Sequence, residues 1–126
     1  MKTLVDSSVW VAYFRGTADL PDVDWLIEEE LLVTNDLILA ELIPALLVRN
    51  ERRLVSVLEE IERVPLTIDW HGIVELQVTC LRNGINKVGV PDLIIAQQAM
   101  QHRISLLTLD KHFRHLGKLV PLAIHS

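Results

Sequence analysis

The feature that most constrains this chain is the run Thr3-Leu4-Val5-Asp6-Ser7-Ser8-Val9-Trp10-Val11 near its start. Leu4 and Val5 read as a strand buried on both faces, and from Val9 through Ala12 and Tyr13 the apolar spacing becomes helical. A strand that passes straight into a helix belongs to an α/β fold. It leaves the acid at the junction on the carboxyl edge of a sheet, where open α/β sheets bind ligands. Asp6 or Ser7 can cap the helix by accepting from its free backbone N–H groups, or Asp6 can serve a site at that edge. The segment alone favours the cap.

The 126 residues make one domain, 1–126, with room for a core. No apolar run nears the ~18 residues of a membrane span, and no export signal precedes Leu4. Cys80 is the single cysteine, which excludes an internal disulfide and a cysteine-rich metal site and makes the cytoplasm the expected compartment. The net charge is -5, but it is unevenly spread. Residues 1–81 carry six Lys/Arg against fifteen Asp/Glu, whereas residues 82–118 carry six Lys/Arg against two Asp. A polyanion can meet that locally basic stretch, because binding follows the local field.

Gly16 to Asp24 reads as a loop and Trp25–Glu30 as a short acidic helix. Leu31–Thr34 is a second strand. Asn35 and Asp36 then cap a helix, Leu37–Val48, that is apolar almost all round and therefore expected to be buried. Glu41 lies in its middle with no Lys or Arg within four residues, so burial makes it costly unless it is protonated, paired from afar or bound to a cation. Pro44 removes one hydrogen bond of that helix. Glu51–Arg63 forms the next helix, and Leu66–Ile68 a third strand. A helix follows from a cap at Asp69 to Arg82, stopped by Asn83-Gly84. After the loop Ile85–Pro91, a strongly apolar helix opens at Asp92 and runs to Met100. Ile104–Thr108 is a fourth strand ending in Leu109-Asp110, and Val120–Ile124 a fifth, edge strand. The alternation predicts a three-layer α/β/α fold with a central parallel sheet of four to five strands.

Asp6 and Asp110 follow strands, Asp92 opens an apolar helix, and Glu41 lies inside one. If the first and fourth strands are neighbours, right-handed crossovers bring all four acids to one sheet edge. Carboxylates within ~5 Å repel by roughly 3 kcal/mol per pair at an effective dielectric near 20, so something positive belongs among them. No lysine is placed inside the apolar segments, which makes a divalent cation the natural candidate. All-oxygen ligands favour Mg²⁺ or Mn²⁺, and such a site suits hydrolysis of a phosphodiester. No Ser/His/Asp order, phosphate-cradling glycine loop or dinucleotide fingerprint competes.

The segments Leu4-Val5-Asp6-Ser7-Ser8-Val9-Trp10, Leu39-Ala40-Glu41-Leu42, Pro91-Asp92-Leu93-Ile94-Ile95-Ala96 and Leu107-Thr108-Leu109-Asp110-Lys111-His112-Phe113 resemble the PIN-domain ribonucleases, and the layout is most similar to the VapC-type toxins of VapBC toxin–antitoxin pairs. The resemblance implies that Asp6, Glu41, Asp92 and Asp110 are the catalytic and metal-binding acids, with Ser8 and Thr108 as supporting hydroxyls. It further implies Mg²⁺- or Mn²⁺-dependent endoribonuclease activity, a homodimer, and inhibition by a small VapB-like antitoxin that touches DNA on the pair's behalf. Pro91 departs from the acid or alanine common before the third acid.

Lys87, Lys111, Arg114 and Arg82 are candidate RNA phosphate contacts, with a solvated surface as the plain alternative. His112 and His115 have i, i+3 spacing but no third soft ligand for Zn²⁺. Trp10, Trp25 and Trp70 are expected in core or interface, and Asp69 as a cap only. Two rivals remain beside the nuclease. A phosphoaspartyl receiver wants an acidic pair after the first strand and a lysine after the last, and this chain has neither. A catalytically silent PIN-like RNA- or protein-binding module has no need of all four acids.

Overall fold

The structure, a computed structural model, describes residues 1–16 and 19–125. Its elements are β1 (Thr3–Val5), α1 (Ser7–Arg15), α2 (Pro21–Glu28), β2 (Leu32–Thr34), α3 (Asp36–Val48), α4 (Arg52–Glu59), β3 (Glu62–Arg63), α5 (Trp70–Arg82), α6 (Val90–Gln101), β4 (Ser105–Leu107) and α7 (Lys111–Leu116). The strands form one parallel sheet in the order β3-β2-β1-β4, with Leu4 opposite Val33 on one side and Leu106 on the other. Every residue of β1, β2 and β4 is buried, as parallel strands covered on both faces must be. Leu4, Val5, Leu26, Ile38, Leu58, Leu93, Ile95 and Leu106 fill the core between sheet and helices. Each such side chain contributes about 1.5–3 kcal/mol through the water it leaves. The architecture is the expected α/β/α arrangement.

Several boundaries differ from the sequence reading. The third strand is Glu62–Arg63 rather than Leu66–Ile68, and the helix before it stops at Glu59 rather than Arg63. Pro65 has no N–H for a ladder, and the backbone beyond it is held by side chains. Thr67 exchanges two hydrogen bonds with the Gln98 amide (2.9 and 3.0 Å), and Asp69 exchanges two with that of Gln97 (3.1 and 2.8 Å). The two glutamine amides of α6 thus substitute for a neighbouring strand. The fifth strand shrinks to one parallel bridge, Leu106 to Ile124. Helix α2 begins at Pro21, inside the expected loop, because proline's fixed φ suits a first helical turn; residues 17 and 18 of that loop lie outside the described residues. Helix α6 starts two residues before Asp92.

The largest correction concerns α3. Ile38, Leu39, Leu42 and Leu46 are buried, but Ala40, Glu41, Pro44, Ala45, Leu47 and Val48 are exposed. The helix is apolar all round because it has two apolar faces, of which only one meets the core. Glu41 stands on the open face and is not enclosed in the interior. Of the three tryptophans, Trp10 is buried and stacks on Phe14 (5.5 Å between rings), while Trp25 and Trp70 are exposed.

Candidate active site

Because β1 and β4 are adjacent and parallel, their carboxyl ends open on the same edge. The ladder carries on one step past β1, where the Asp6 N–H donates to the Leu107 carbonyl at 3.0 Å. Asp6 sits at the N-cap of α1, yet its carboxylate makes no capping bond; only its carbonyl accepts, from Val9 and Trp10. The carboxylate is committed elsewhere. Its Oδ2 accepts from the Ser8 hydroxyl at 2.8 Å and from the Thr108 hydroxyl at 3.0 Å. With Asp6 only 4% exposed, these two donors supply what water cannot.

Each hydroxyl is itself oriented by the segment after β4. The Leu109 N–H donates to Ser8 Oγ at 3.2 Å and the Asp110 N–H donates to Thr108 Oγ1 at 3.0 Å. Asp110 caps α7, accepting at Oδ1 from the His112 N–H and meeting the His112 ring Nδ1, both at 2.9 Å. A single network thus fixes Asp6, Ser8, Thr108 and Asp110 relative to one another.

Glu41 and Asp92 enter from helices. Asp92 is in the first turn of α6, where a hydrogen bond from the Gly89 backbone draws on it as in half a capping box. Its pKa is nevertheless raised, first by burial and then by the charges of Asp6 and Asp110, with Gly89 and His112 pulling down. The Glu41 pKa is raised too, by desolvation and then by Asp6 and Asp92. Each of the four acids therefore either feels or exerts the field of another. Arg15 and Arg49 line a pocket together with Glu41, yet the Glu41 pKa is still raised; at Asp92 the His112 ring pulls down. The donor set is all oxygen and over-charged, which suits a hard divalent ion. As they stand, no three acidic, histidine or cysteine side chains among the described residues converge closely enough to hold a metal.

Of the candidate phosphate contacts, Lys111 and Arg114 line an open groove beside α7. Arg82, at the end of α5, and Lys87, in the loop before α6, are exposed and lie outside that groove. His112 is the residue whose role sequence reasoning missed: it belongs to Asp110, and its ring lies 6.4 Å from that of His115 in an edge-on contact. The signal was its position two residues after a capping acid. Asp69 is a cap, accepting from the Gly72 N–H.

The profile of the PIN domain matches residues 3–119. The chain belongs to the PIN-domain family. It is similar in fold to VapBC2 from Rickettsia felis bound to a promoter DNA fragment (TM-score 0.76, 19% identity, 99% of this chain and 98% of that one). It is similar also to DNA-bound VapBC from Salmonella typhimurium (0.75, 15%, 99% and 97%) and to a toxin–antitoxin complex from Klebsiella pneumoniae (0.61, 20%, 87% and 88%). A comparison with curated protein sequences finds no match.

Proposed function

We propose that this protein is a metal-dependent endoribonuclease acting as the toxin of a type II toxin–antitoxin pair. One observation carries the reading: four acids from four separate segments share the carboxyl edge of the sheet, and two of them are raised in pKa by burial and then by the charges of the others. Such mutual repulsion is retained where a cation resolves it. Asp6, Glu41, Asp92 and Asp110 would hold Mg²⁺ or Mn²⁺. The ion, when bound, supplies an activated water and neutralises charge on the leaving oxygen. Ser8 and Thr108 keep Asp6 aimed at the edge, and His112 keeps Asp110 there. Lys111, Arg114, Lys87 and Arg82 present positive charge to RNA approaching a chain that is acidic overall.

The likeness to VapBC complexes supports a small antitoxin as partner, and the open face of α3 with Leu47 (46% exposed), Val48 (85%) and the neighbouring Val57 (48%) of α4 suits part of that surface. We read the protein as a cytoplasmic homodimer that reaches DNA only through the antitoxin. The test is RNA cleavage with Mg²⁺ or Mn²⁺, comparing the parent with Asp6→Asn and Glu41→Gln. Metal-dependent cleavage by the parent alone is expected, with growth arrest on expression that both variants relieve. Equal cleavage by all three ends the proposal.

A further inference from the structure

The groove beside α7 is a built surface apart from the four acids. Lys111, Arg114, His115 and Lys118 line it, with Leu122 and Ile124 as its apolar side, and its volume is about 570 Å³. That is the scale of a ligand cleft. No acid lines it, and among the described residues Lys111, Arg114 and Lys118 make no ion pair. The wall formed by the chain's last residues is held firmly. Leu106 N–H donates to the Ala123 carbonyl and His125 N–H to the Leu106 carbonyl, both at 2.8 Å. Gly117 lets that wall come close: a methyl group there would meet Ile124 Cγ1 at 3.2 Å and the Leu122 carbonyl at 3.3 Å.

The placement gives the groove a direction. Lys111 is the first residue of α7, directly after Asp110, and Arg114 and Lys118 follow at i+3 and i+7. Lys118 lies just past the Gly117 cap of α7, so the three cations lead away from the acid edge along the helix and into the turn after it. We infer that this groove holds the phosphodiester backbone of single-stranded RNA beside the linkage to be cut, with the face of a sugar or base against Leu122 and Ile124. The inference rests on the nuclease reading and names where its substrate lies. An acidic peptide is the competing occupant, but a line of cations leading from the acid edge, with an apolar side, matches a chain of phosphates carrying bases.

Fluorescence anisotropy of a short fluorescein-labelled single-stranded RNA, titrated in EDTA at several salt concentrations, tests it. The double variant Arg114→Gln/Lys118→Gln should bind about tenfold more weakly or worse. Its plot of log K against log salt should be shallower by about 1.4, at ~0.7 per phosphate contact on a single strand. Arg53→Gln/Arg103→Gln removes the same charge from α4 and from the turn after α6, and it should match the parent in affinity and slope. Matched melting temperatures show that both variants are folded. Equal losses in the two variants, no loss in the first, tighter binding of duplex DNA than of RNA, or equally potent competition by polyglutamate would each overturn the groove. The two readings fail separately. A parent that binds RNA through the groove and cleaves none ends the nuclease reading alone. A parent that cleaves, with a groove variant that binds unchanged, ends the groove alone.

Discussion

Helices α3 and α6 read almost alike: each is a strongly apolar stretch of about three turns carrying one acid toward the sheet edge. Their fates differ. In α6 every residue from Leu93 to Ala99 is buried, including two glutamines. In α3 half the circumference is open. Gln97 and Gln98 explain how α6 can be enclosed on a polar side, since their amides are spent on the backbone of Thr67 and Asp69. Among the described residues nothing comparable covers α3. Uniform apolarity therefore has two meanings: a helix surrounded by its own protein, and a helix with one face kept for something else.

The comparison breaks most severely at the acids. Asp92→Asn on the enclosed helix and Glu41→Gln on the open one should each lower metal-dependent RNA cleavage about a hundredfold or more, since each removes part of a charge set worth several kcal/mol. A loss at one position only would show that the two helices do not serve one site.

Stability separates the helices instead. Gln98→Ala should cost about 2–4 kcal/mol in urea unfolding, because it leaves the Thr67 N–H and carbonyl unpaired and opens a gap in the interior. Leu47→Ala on the open side of α3 should stay within about 0.5 kcal/mol. Similar costs at both would mean that α3 is covered within the chain itself.

The sequence made the acid edge legible and left much of its surroundings hidden, for reasons that lie in particular residues. Asp6 and Asp110 could be found because a strand end followed by an acid is a local pattern. Glu62–Arg63 could not, because an edge strand two residues long is defined by backbone pairing and its side chains are charged. Leu66–Ile68 has the composition of a strand, but its backbone partners are side chains some thirty positions along. The exposure of Glu41 was hidden because periodicity does not distinguish a core face from a bare one. The sequence ties its importance to full burial; in the structure partial desolvation and the charges of Asp6 and Asp92 together raise its pKa.

Two smaller effects sharpen the picture. Thr108→Val and Ser8→Ala each remove one donor from Asp6 and should lower cleavage by about 10- to 100-fold, as loss of an outer partner of a metal ligand does. A rate unchanged by either would show that Asp6 needs no such support. The smallest effect is on pH dependence. Glu41 and Asp92 titrate above their unfolded values, so in metal-free protein they add stability below about pH 4, and that stability is lost as the pH rises through their raised folded values. Glu41→Gln should therefore raise the melting temperature slightly at pH 7 in EDTA and leave it unchanged at low pH. A drop at pH 7 would mean that the Glu41 charge is stabilising.

The bond between Thr108 and Asp6 spans 102 positions, and the neighbours of β1 in the sheet include β4 near the far end of the chain. During synthesis β1 must wait, unpaired on one side, until β4, whose Ser105 pairs with Thr3, has been added. Contacts so distant in sequence also slow folding, because a long loop must close before they form. The carboxyl edge cannot be assembled on a partly made chain. Until β4 docks, the chain thus carries Asp6 without the strand end that brings Thr108 and Asp110 beside it.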